Sequence, residues 1–196
     1  MHRALFAPLL SATVILVSCC IISFYSFCQP IRVKGVEIKG SLNRIVHRLE
    51  NNGCTTLINS RDACILEGFV SGYFSGITIT TITNESGYEV SIVFPSCTTW
   101  SKLESEYNNI KDILIEKYGN PTKRDDQMLD NAISNNQKLS IIRQQDSSIG
   151  CYWNMGEFHI FFHLCYLAER DDYYPLLTYI DNIEFKAKKH EANDDL

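Results

Sequence analysis

The sequence predicts an α+β fold: an antiparallel sheet with helices packed on one face, built as two units that each run helix then three strands. Three observations predict it. Two short stretches, GITITTIT at 76–83 and YEVSIVF at 88–94, alternate apolar and polar residues with the period of a half-buried strand. One long stretch, TTWSKLESEYNNIKDILIEKYGNP at 98–121, spaces its apolar residues as one face of a helix. The same order of segments runs through 29–97 and again through 98–186, which places helices on one side of an antiparallel sheet.

Residues 4–28 are an apolar run behind a short basic start, His2 and Arg3. The first reading is a signal peptide, 1–28, cut before Gln29, with Ser26 and Cys28 as the small residues preceding the cut. Two alternatives stay open. LVSC at 16–19 fits a lipobox with Cys19 as the lipidated residue, and the run is long enough to serve as a retained membrane anchor. All three export the domain, to the periplasm or beyond, or tether it through 4–28.

After the leader, 31–38 reads as a short strand. GSLNRIVHRLENNG at 40–53 reads as a helix, with Ser41 as N-cap, Leu42, Ile45, Val46 and Leu49 on one face, and Gly53 as the stop. Strands are expected over 65–73, 76–83 and 88–94, with NESG at 84–87 as a turn and Pro95 as the end. In the second helix Trp100, Leu103, Tyr107, Ile110, Leu114 and Tyr118 form the stripe. Ser101 and Glu104 have capping-box spacing, with Thr98 or Thr99 as the alternative, earlier start, and Gly119 and Pro121 terminate the helix. Residues 122–148 are polar and read as a broken helix within 126–143 plus a loop. Strands follow over 150–154 and 157–166 around Met155-Gly156, then a charged loop over 169–174 and a strand over 176–186. The tail, 187–196, reads as disordered. A weak echo, Tyr73-x-x-Gly76 and Trp153-x-x-Gly156, fits duplication.

The segments KGVEIKGSLNRIVHRLENNGC, GYFSGITITTI, FPSCTTWSKLESEYNNIKDILIEKYGNPT and LLTYIDNI resemble small exported proteins of gut Bacteroidetes that have no assigned function. The resemblance covers about residues 29–185. The element order is also similar to the tandem fold of the beta-lactamase inhibitor protein and of small outer-membrane assembly lipoproteins. That likeness implies an architecture and no activity. It brings no catalytic residues.

The net charge of −5 and the lack of a basic cluster beyond Lys186, Lys188 and Lys189 disfavour nucleic acid, whose phosphates need a concentrated cationic face. Of eight cysteines, Cys54, Cys64, Cys97, Cys151 and Cys165 lie beyond the leader. In an oxidising compartment Cys54 and Cys64, flanking a short loop, are the candidate disulfide. The competing reading is that all five are small buried hydrophobes. His159-x-x-x-His163 has zincin spacing, but on a strand four residues span about 13 Å, too far for one metal. No metal and no cofactor are expected. Asp125-Asp126 and Asp171-Asp172 read as solvated loop charge.

The candidate binding surface is the loop of Arg170, Asp171, Asp172, Tyr173 and Tyr174, where two tyrosines stand among charges. The weaker alternative is a Cys–His site of Cys165, or Cys151, with His163 and His159. Two functions follow. One is an exported non-enzymatic binding module, inhibitor-like or an envelope adaptor, whose partner is a protein or envelope component and whose only membrane contact is the N-terminal segment. The other is a Cys/His-dependent exported enzyme.

Overall fold

The computed structural model describes residues 30–82, 87–145 and 149–182. All but Pro30 belong to the unit that begins at Ile31. The leader, Cys19, the tail and most of the 84–87 turn lie outside the described residues.

A two-stranded hairpin, β1 (Arg32–Val33) and β2 (Val36–Glu37), opens the fold, joined by Lys34 and Gly35 at positive φ. Helix α1 spans Leu42–Asn51 and buries the four residues of the expected stripe. Ser41 stands at its N-cap in extended conformation without a side-chain capping bond. Gly53 has φ +77, the left-handed backbone that ends a helix. Then come β3 (Thr55–Asn59), β4 (Ala63–Val70), β5 (Tyr73–Ile82) and β6 (Gly87–Val93). Helix α2 spans Trp100–Tyr118, followed by β7 (Lys123–Arg124), a 3-10 turn (Asp126–Asn131) and α3 (Asn135–Gln145). Strands β8 (Ile149–Asn154), β9 (Phe158–Leu167) and β10 (Asp172–Asp181) complete it.

Strands β3 to β10 form one antiparallel sheet in the order β3-β4-β5-β6-β10-β9-β8-β7. The α+β class holds. The count of three strands per helix does not. Strands β3 and β7 are additional, and the second half also inserts the 3-10 turn and α3. Both missed strands are sheet edges. An edge strand hydrogen-bonds on one side and stays exposed, so it shows no apolar alternation.

The expected strand over 65–73 is in fact a strand, a turn and the start of the next strand. Ser71 and Gly72 both have positive φ, the two-residue turn that suits hairpin twist. Ser101 lies inside α2, whose N-cap is Thr99, so no capping box forms. Glu104 instead pairs with Lys138 of α3 at 3.5 Å.

Alternate residues of every long strand enter one core with the helices: Leu66, Ile77, Val90, Ile160, Phe162 and Leu177 meet Leu49, Leu103, Tyr107, Ile110 and Ile142. Tyr107 stacks on Phe162 at 4.7 Å between ring centres. The residues between them point to the other face of the sheet.

The register has one regularity. Leu66 pairs with Ile77 and Ile77 with Ile92. Cys151 pairs with Phe162 and Phe162 with Leu177. A single sequence offset carries the first set onto the second. Ile92 and Leu177, which that offset relates, pair with each other at the centre of the sheet. The offset relates Tyr73 to Phe158, so the Tyr73/Trp153 echo is out of register and is discarded.

Candidate functional site

The predicted loop of tyrosines and charges is mostly strand. Chain reversal occupies residues up to Asp171, which has φ +53, and β10 starts at Asp172. Tyr173 is 3% exposed, packed on Tyr166 at 5.1 Å and bonded through its backbone to Cys97. Asp172 is 9% exposed and accepts a hydrogen bond from Ser96 Oγ at 2.9 Å, with Arg170 Nε at 3.3 Å. The five residues therefore do not form one surface. Arg170 and Asp171 are exposed, Tyr174 is half-buried on the opposite sheet face, and Tyr173 is core. Asp171 instead joins α3 to the β9–β10 turn. It accepts from Arg143 Nη2 at 2.5 Å and from Tyr166 OH at 2.9 Å, while Arg143 lies over the Tyr166 ring at 4.8 Å.

The cysteine pairing is also corrected. All five described cysteines are free and buried. Thr55, next to Cys54, pairs with Glu67, whereas Cys64 pairs with Asn59. Three strand residues separate those rungs, about 10 Å, beyond the reach of a disulfide. Burial raises the thiols of Cys54, Cys97 and Cys151 above their ordinary value, and pushes Cys64 up to about 11. Alkylation of the native protein should spare Cys64 and Cys151, and guanidinium without reductant should open all five. Peptide mass mapping reads both outcomes. A Cys54–Cys64 bridge would leave that pair unmodified in both states.

The Cys–His group divides in the same way. His159, His163 and Cys165 share the helix-free face of β9, while Cys151 faces the core, with the sheet between it and the histidines. His159 Nδ1 lies 2.8 Å from Tyr152 OH. Cys165 pairs across the strands with Tyr174. His163 sits opposite Gly150, and burial lowers its pKa below the usual imidazole range. Both histidines are half-buried sheet residues. Among the described residues no group of three His, Cys, Asp or Glu could hold a metal ion.

A polar cluster that the sequence did not reveal sits under α2. Asp126, read as solvated, is 6% exposed. Its carboxylate accepts from Lys111 Nζ at 3.0 Å, Arg124 Nε at 3.1 Å and Tyr107 OH at 3.3 Å, with Cys151 Sγ at 3.5 Å. Burial alone would raise its pKa. The hydrogen bonds from Arg124 and Lys111 outweigh burial and hold it below the usual carboxylate range. Burial drives the Tyr107 hydroxyl strongly upward, so it stays a neutral donor. The cluster is an anchor: it ties α2 to β7, the 3-10 turn and β8.

The second sheet face carries no described helix. Ile65, Glu67 and Phe69 of β4 and Phe74, Thr78 and Thr80 of β5 point there, as do Val93 of β6 and Tyr152, Phe161 and His163 across β8 and β9. Phe69 and Phe74 are 63% and 52% exposed and meet edge to face at 5.4 Å. Tyr152 lies 5.0 Å from Phe161, which is 5.8 Å from His163. The buried residues of the helices all pack into the core on the other side. This face could not be read from sequence, because it needs the strand order. Its only signal was the second half of each alternating pattern.

No protein-family description, no curated protein and no solved structure matches the chain. Among the described residues no helix is long and apolar enough to cross a membrane.

Proposed function

We propose that the protein is an exported, non-enzymatic binding module whose contact surface is the helix-free face of the sheet. One observation carries the reading: that face presents the exposed side chains of Phe69, Phe74 and Val93, with the two rings in contact, on a surface that the described helices leave open. Monomers rarely expose such groups in a contiguous patch without a partner. Aromatic side chains are the usual anchors of protein contacts. The partner is a protein or an envelope component.

The finer architecture belongs to the same proposal. The sheet is an internal duplication, with β4-β5-β6 and β8-β9-β10 as equivalent triplets. The single offset between their registers supports this. Export rests on the apolar run 4–28 alone, and is tested by the mass of the protein recovered from its host. A chain starting at Gln29 supports cleavage, and one starting at a lipid-modified Cys19 supports tethering. A full-length cytosolic chain removes export from the proposal.

The contact surface is tested by photo-crosslinking in the host. A crosslinker at position 74 or 161 should trap a discrete partner, and one at Glu116, on the exposed side of α2, should not. Equal yields from both sides would remove the sheet face as the surface. With the crosslinker at position 161, Phe69→Asp with Phe74→Asp should abolish the crosslink while shifting the melting temperature little, since both side chains are exposed.

A further inference from the structure

We infer that a cleft between the β1–β2 hairpin and α2 binds a free medium-chain carboxylate, a site separate from the sheet face. The cleft has a volume of about 240 Å³. That is room for roughly eight water-sized groups, the size of a short alkyl chain. Its floor is apolar: Ile92, Phe94, Leu114 and Leu177 line it, with Ile110 from α2.

Its rim is cationic. Arg32, Lys34 and Lys117 line it, and no Asp or Glu does, in a chain whose net charge is −5. Lys34 is placed there by the Lys34-Gly35 turn, where both residues have positive φ. A second tight turn, Ser71-Gly72, brings Ser71 to the cleft. Lys34 donates to Gly53 O at 3.4 Å, and Lys117 lies 4.7 Å over the Tyr118 ring. Among the described residues none of the three cations has a carboxylate partner.

An apolar floor under an unpaired cationic rim is complementary to one kind of small molecule: an alkyl chain with an anionic head. A neutral alcohol of the same length gains the floor without the rim. A cationic amphiphile meets repulsion at the rim.

The test is equilibrium dialysis of the full chain against labelled octanoate, whose seven-carbon tail matches the cleft, with octanol as the neutral comparison. Saturable binding of one octanoate per chain, at least tenfold tighter than octanol, is the expected result. Arg32→Glu with Lys117→Glu should weaken octanoate at least tenfold and leave octanol unchanged. Both side chains are exposed, and a thermal melt checks that the variant folds. Ile113→Asp, at a partly exposed wall position, should weaken both probes. Equal affinity for octanoate and octanol overturns the proposal. So does absence of saturable binding. None of these outcomes bears on the crosslinking test of the sheet face.

Discussion

Gly150→Ala is expected to lower the melting temperature by roughly 6–12 °C, which corresponds to about 3 kcal/mol in a domain of this size. A Cβ at this position would lie 2.1 Å from Phe162 O, 2.6 Å from His163 Cδ2 and 2.8 Å from His163 Cα. Two of those three atoms are backbone of the neighbouring strand and cannot turn away. Overpacking usually costs about 1–3 kcal/mol, and this case belongs at the top of that range because strand β9 itself must move. Gly76→Ala is the control. Its Cβ meets nothing within 4 Å and its backbone is ordinary, so its effect should stay within about 0.5 kcal/mol. Circular dichroism melts of the two variants decide the matter. Equal melting temperatures would mean that β8 and β9 do not approach each other as described.

Asp126→Ala is expected to destabilise the protein by about 3–5 kcal/mol, the cost of leaving buried charge without its partner. Lys111 is largely buried, and its ammonium would lose its carboxylate. Tyr107 and Arg124 would lose their acceptor as well. The same carboxylate sets an acid limit. Its folded pKa lies below the ordinary value near 3.9, so its contribution is fully present above that value and is lost as pH falls through the lower folded pKa. Stability of the native protein should therefore decline below about pH 4. Asp126→Asn should be less stable at neutral pH and show a shallower decline in acid. Urea unfolding across that range measures both slopes. Identical acid slopes in the two proteins would show that Asp126 titrates like an unfolded carboxylate.

The helices and the long strands were legible because burial on one side imposes a period. Leu42, Ile45, Val46 and Leu49 announce α1, and Ile77 and Ile79 announce β5. Where one side is not buried the period vanishes. Thr55–Asn59 and Lys123–Arg124 were missed for that reason. The Ser71-Gly72 turn was missed because apolar residues, Val70 and Tyr73, flank it directly, and only the backbone φ values mark it. Charge misled twice. Asp126 and Asp172 look solvated in a string of acids, yet each is buried against hydroxyl or cationic partners far away in sequence. Tyr173 looked like a recognition residue and is core, because the strand begins one residue before it. The sheet face and the cleft depend on which strands adjoin, which no local pattern carries.

The centre of the sheet has a consequence for assembly. The five rungs between β6 and β10, from Val93↔Leu176 to Glu89↔Ile180, join the half of the sheet built by β3–β6 to the half built by β7–β10. The first half of one molecule can accept the second half of another through the same rungs. Phe94 and the residues up to Thr99 are the hinge such an exchange would open. Closed within one chain, the same seam can close between two. At high concentration, or when folding is slowed, the mispaired product has a defined shape: a twofold dimer with exchanged halves.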